Sequence, residues 1–145
     1  LNAIGQLESG VPFTVASGVD NARTGTGGQR AEMIADPYFP DGRGRGEIIT
    51  EYMRKSAFVA NVVGTFGTLG RNTFYGPGSA NWDFGMFKKF RVTETLALTY
   101  RFEAFNAFNR VNLGLPNSTL NSANFMRITS ADSMRVLQMA LRMTW

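Results

Sequence analysis

The sequence contains no cysteine and no histidine. That pair of absences removes disulfide scaffolds, thiol nucleophiles, zinc fingers and imidazole acid–base chemistry together. Charge is sparse as well: 18% of the 145 residues are Asp, Glu, Lys or Arg, below the ~25% of an ordinary soluble chain. The net charge of +4 is spread along the chain without a block of one sign, so no nucleic-acid partner is indicated. No apolar run approaches the ~18 residues of a transmembrane helix. Nothing like a basic, then apolar, leader follows Leu1, and the chain is expected to be a piece of a longer one. With no nucleophile or metal-ligand set in view, neither an enzyme nor a cofactor nor a metal is expected.

What the sequence does contain is alternation. From Ala80 to Val92, even positions read Ala, Trp, Phe, Met, Lys, Phe and Val, while odd positions are mainly polar. The same holds for Leu96, Leu98, Tyr100, Phe102 and Ala104. It holds again for Leu137, Met139, Leu141, Met143 and Trp145, and more weakly for Leu1, Ala3, Gly5 and Leu7. A period of two marks β-strands. These runs are about twice the ~5–6 residues of a soluble strand and match the ~9–11 residues of a tilted membrane strand. Large apolar residues on one face and charges on the other are the pattern of an outer-membrane barrel.

The expected fold is therefore all-β, with four long antiparallel membrane strands near residues 1–15, 80–91, 95–108 and 133–145. Between the second and third there is room only for a tight turn, most simply Val92-Thr93-Glu94. The segments 17–79 and 109–131 are long and rich in Gly, Asn, Ser, Thr and Pro. Short turns alternating with long loops are the asymmetry of bacterial barrels, whose long loops are extracellular. A short helix around Glu47–Lys55 is compatible with the spacing of Ile48, Ile49, Tyr52 and Met53. Four strands cannot close a barrel, which needs at least eight. Further strands of the same polypeptide are expected to complete it.

Among polar residues, Asp83, Arg101, Glu103 and Arg142, with Glu8 nearby, fall on one face and suggest a charge network lining the lumen. If Arg91 faced Thr95, Asp83 would oppose Glu103, and Arg101 would bridge the two carboxylates. Trp82, Phe90, Phe108 and Trp145 lie near strand ends on the apolar face, where interfacial aromatics are expected. Lys88 is the one cation on that face, close enough to the turn to reach headgroups. Gly42-Arg43-Gly44-Arg45-Gly46 has the composition of a phosphate-cradling loop but not its strand–loop–helix setting. Gly64 to Gly70 reads as loop backbone with two anchoring side chains, Phe66 and Leu69.

Several runs are similar to the C-terminal part of TonB-dependent outer-membrane receptors, closest to the Oar-like group with a carboxypeptidase-regulatory-like N-terminal domain. They are Gly70-Arg71-Asn72 to Gly76-Pro77-Gly78, Asn81-Trp82-Asp83, and Phe87-Lys88-Lys89-Phe90. The most specific is Arg101 to Asn109 followed by Asn112 and Gly114. Ser9 to Thr14, Ser122 to Phe125, Arg127 to Ala131 and the final Trp145 also fit. The resemblance implies about 22 strands around a plug, energised uptake through TonB, and a bacterial outer-membrane location. It implies partners absent here: the upstream barrel and plug, the TonB system and membrane lipid. It also implies that Leu137, Met139, Leu141, Met143 and Trp145 form a signal read by the outer-membrane assembly machinery. Two other readings stand beside it: a structural or adhesive outer-membrane barrel, and a soluble β-sheet binding module.

Overall fold

A computed structural model describes all residues, Leu1–Trp145. The elements in chain order are β1 (Asn2–Glu8), β2 (Pro12–Phe13), β3 (Glu32–Met33), α1 (Arg45–Thr50), a single 3₁₀ turn (Lys55–Ala57), β4 (Phe58–Val59), β5 (Phe74–Tyr75), β6 (Ser79–Arg91), β7 (Ala97–Phe105) and β8 (Val136–Thr144). They divide into two units.

The first unit holds the long strands, in one antiparallel sheet of order β1-β6-β7-β8. The period of two survives in three dimensions because every register joins like faces. Ala3 meets Phe84, Phe84 meets Ala104, and Ala104 meets Leu137. The next complete rows are Met86–Phe102–Met139, Lys88–Tyr100–Leu141 and Phe90–Leu98–Met143. One face is thus apolar across all four strands, apart from Lys88 and the hydroxyl of Tyr100. The other carries Asn2–Gly85–Glu103–Gln138, Phe87–Arg101–Ala140 and Lys89–Thr99–Arg142. From Trp82 to Phe90 the apolar face of β6 runs about 26 Å along the strand. At a ~40° tilt that is about 20 Å of depth, close to the ~25 Å apolar band of a membrane barrel.

Three expectations about this sheet need correction. The turn after β6 spans Val92–Leu96 rather than three residues, and the amides of Val92 and Thr93 both donate to the Leu96 carbonyl. An odd loop length keeps the faces aligned, so parity holds while the register slips by two. Arg91 faces Ala97, Gly85 faces Glu103, and Phe87 faces Arg101. The first strand ends at Glu8 instead of running to residue 15, because Phe13 and Val15 belong to another core. The third and fourth strands are shorter at both ends than 95–108 and 133–145.

The second unit comprises residues 10–77 and 113–130, most of what reads in sequence as loop. It has a core of its own: Phe13, Val15, Ala31, Met53, Ala57, Phe58, Leu69, Phe74, Phe125 and Met126. Phe58 stacks edge-on against both Phe74 and Phe125, with ring centroids 5.5 and 5.8 Å away. Little regular structure holds this core. Two-residue ladders, β2 with β5 and β3 with β4, join isolated bridges such as Ala16 to Arg30 and to Thr119. The helix near Glu47–Lys55 resolves into α1 and the 3₁₀ turn, with Met53 buried between them in sequence. Of the two supposed anchors in Gly64–Gly70, Leu69 is buried but Phe66 is 69% exposed.

Gly5 shows why a small residue sits within a long strand. Its cross-strand partner is Trp82, and a Cβ on Gly5 would lie 2.5 Å from the indole ring. Gly5→Ala is expected to tilt the ring away and cost about 1–3 kcal/mol through overpacking. A shift of the Trp82 emission, measured with Trp145 replaced by Phe, checks it; an unchanged spectrum and melting point would contradict it.

Candidate functional site

The polar face of the sheet ends, on the side away from the Val92–Leu96 turn, in a cleft of about 690 Å³. Glu8 and Asn81 on the strands, Asp83 below them, and Asn106, Asn112 and Asp132 beyond the strand ends line it. Three carboxylates and no Lys or Arg line this space. Such a surface repels anions and suits hydroxyl-rich or cationic solutes.

Two buried asparagines build the cleft. β7 stops because Asn106 adopts φ 47°, a left-handed conformation that Asn tolerates better than most residues. Its amide donates to Asp83 Oδ1 at 2.9 Å. Its Nδ2 donates to the carbonyls of Arg110 (2.9 Å) and Ser133 (3.1 Å), and its Oδ1 accepts from the Arg110 amide. Asn112 acts like a strand neighbour for Ala80. Its Oδ1 accepts from the Ala80 amide at 3.0 Å, and its Nδ2 donates to the Ala80 carbonyl at 3.1 Å. Both asparagines lie in the Arg101–Gly114 run. Their signal in sequence was an asparagine at the point where alternation stops, followed by a second six residues on.

The expected charge network is split. Arg101 pairs with Glu103 at 2.5 Å, along the same strand. Its guanidinium also lies 5.3 Å from the Phe87 ring centroid, which gives inward-facing Phe87 a contact. Asp83 does not join this pair. It accepts from the Asn106 amide and from Asn81 Nδ2. The two-residue register slip is the cause, because it moves Glu103 opposite Gly85. Arg142 faces Thr99, and Glu8 accepts from Gln6.

On the apolar face Trp82, Phe84 and Phe108 form one cluster, with Phe108 edge-on to both at 6.4 and 5.9 Å. Phe90 lies toward the opposite end, in line with Met143, and Trp145 follows β8. Leu137, Met139 and Leu141 project on this same face and are more than half exposed, as is Met143.

In the second unit the phosphate-loop reading of Gly42–Gly46 fails on geometry. The Gly44 amide donates to the Glu47 carboxylate at 2.8 Å, so an acidic side chain already occupies the place of an anion. Arg43 stacks on Phe39, 3.8 Å from the ring centroid. The loop after Ser17 is tied by Asp20, whose carboxylate accepts from the amides of Thr24 and Gly25, the Thr24 hydroxyl and Gln29 Nε2. These donors, the Thr24 amide foremost, hold the Asp20 carboxyl below its ordinary range against the opposing effect of burial. Because the folded value is depressed, its contribution is present above the unfolded value and is lost as pH falls through the folded one. The protection factors of the Thr24 and Gly25 amides, relative to intrinsic exchange at each pH, are therefore expected to fall only at pH below the unfolded carboxyl's range. Asp20→Asn should show low protection factors at every pH; protection factors that ignore pH in the natural chain would contradict this.

Nowhere in the chain do three or more acidic side chains converge as metal ligands would. No curated protein sequence and no solved structure matches the chain. A family model, that of the outer membrane beta barrel domain, matches residues 1–138. The match, the strand lengths and the one apolar face agree, and the soluble-module reading is overturned: this chain belongs to the outer membrane beta barrel domain family, and its place is the bacterial outer membrane, with its apolar face against lipid.

Proposed function

We propose that the chain is the C-terminal barrel segment of a TonB-dependent receptor of the Oar-like group. It contributes wall strands and extracellular loops to the energised uptake of a solute. One observation supports transport over a purely structural wall: residues 10–77 and 113–130 fold around a buried aromatic core. A wall needs only short connections, whereas a binding surface needs loops of fixed shape. The acidic cleft adds a polar surface on the lumen side, suited to a neutral or cationic solute rather than an anion.

Four strands supply a fraction of a barrel of about 22, so the plug and the remaining wall come from the same polypeptide. The segment makes and breaks no covalent bond and takes no cofactor. Strand β8, an edge of the sheet, serves as the handle for the assembly machinery, since a free strand edge recruits a partner by backbone pairing while alternating side chains set register.

The test is binding of the purified periplasmic domain of TonB to the intact protein in detergent. Specific binding, lost when the N-terminal region is deleted, is expected. If the intact protein carries no plug and binds no TonB, the structural or adhesive barrel becomes the better reading.

A further inference from the structure

Across the outward face of β1, β6, β7 and β8 nearly every side chain is apolar or glycine. The two exceptions among non-indole residues are Lys88 and Tyr100, and they are direct cross-strand partners. Around them lie only apolar groups: Phe90, Leu98 and Met143 in the row on one side, Met86, Phe102 and Met139 in the row on the other, and Leu141 beside Tyr100. No carboxylate shares this face, and the ion pair of the sheet, Arg101 with Glu103, lies on the opposite one.

We propose that Lys88 and Tyr100 form a binding site for the phosphodiester of an anionic phospholipid. Lys88 sits four residues from Val92, about 13 Å along the strand and about 10 Å in depth at the usual tilt. An ammonium left alone at that depth is costly, so long cationic side chains bend toward the interface. The Lys88 Nζ lies 6.0 Å from the ring centroid of Phe90, the next residue of this face toward the Val92–Leu96 turn. There the anion that the membrane itself offers is the lipid phosphate. The ammonium supplies charge, the Tyr100 hydroxyl supplies a second donor, and the flanking Phe, Leu and Met side chains receive the acyl chains. The site depends on the outer-membrane location alone and stands whether or not the barrel imports anything.

The test uses the intact protein in micelles, with phosphatidylglycerol and phosphatidylcholine offered in equal amounts and retained lipid counted by native mass spectrometry. The natural protein should retain phosphatidylglycerol about fivefold over phosphatidylcholine, the effect of one basic residue at an anionic surface. Lys88→Leu and Tyr100→Phe should each reduce that preference, and the double variant should abolish it. Heat stability should stay the same or rise, because leucine suits the lipid face. Tyr100→Phe, which removes one oxygen, keeps the comparison valid if Lys88→Leu assembles poorly. Equal retention by all four proteins would overturn the proposal. So would displacement of the lipid by inorganic phosphate, which would make this a site for the free ion.

Discussion

Asn106→Ala is expected to destabilise the sheet unit by about 4 kcal/mol, which is large for a residue on no strand. Three hydrogen bonds of its side chain disappear, each contributing about 1 kcal/mol net and more where a buried partner is left unpaired. The left-handed φ of 47° adds about 1 kcal/mol against a Cβ-bearing residue without a local polar contact. Asn106→Gly separates the two effects: it keeps the backbone conformation and loses only the side chain, so it should fall about 1 kcal/mol short of the alanine variant. Urea unfolding of the intact barrel in micelles reads both. Equal losses would mean that the turn is not held in this conformation.

Phe58→Ala is expected to cost the second unit about 3–5 kcal/mol, the usual range for removing a buried phenyl group. Phe58 is 4% exposed and makes edge-on contacts with Phe74 and Phe125, so its loss opens a cavity between segments far apart in sequence. Regular structure cannot compensate, since the ladders nearby are two residues long. Limited proteolysis should then cut within residues 17–77, where the natural chain is expected to resist. Unchanged resistance would show that the core does not hold these segments.

The four long strands were legible because side-chain alternation is a property of each strand alone, written in residues such as Trp82, Phe84 and Met86. Parity of the turn was legible for the same reason: like faces must align. Turn length was not. Three residues and five both preserve parity, and the choice of five rests on the Leu96 carbonyl accepting two amides. That two-residue difference is what separates Asp83 from Arg101. The packed unit formed by residues 10–77 and 113–130 was hidden for another reason. Phe13, Phe58, Phe74 and Phe125 show no common period, because each enters the core from an irregular segment. Pairing between distant loops leaves no local signature. Asn106 and Asn112 stood inside the most specific run of the sequence, yet their work depends on partners at Asp83, Ala80 and Ser133 that only folding brings near.

The central claim is that the even positions of β7 face lipid and the odd positions face the lumen. The chain has no cysteine, so single cysteines can be placed at Leu98, Thr99, Tyr100, Arg101, Phe102 and Glu103 and labelled with a nitroxide in the intact, membrane-inserted protein. Collision rates with oxygen, which partitions into lipid, and with a water-soluble nickel chelate measure the two environments. The expected result is strict alternation, with oxygen dominant at 98, 100 and 102 and nickel dominant at 99, 101 and 103. Uniform access to the nickel chelate along all six positions would contradict a membrane wall.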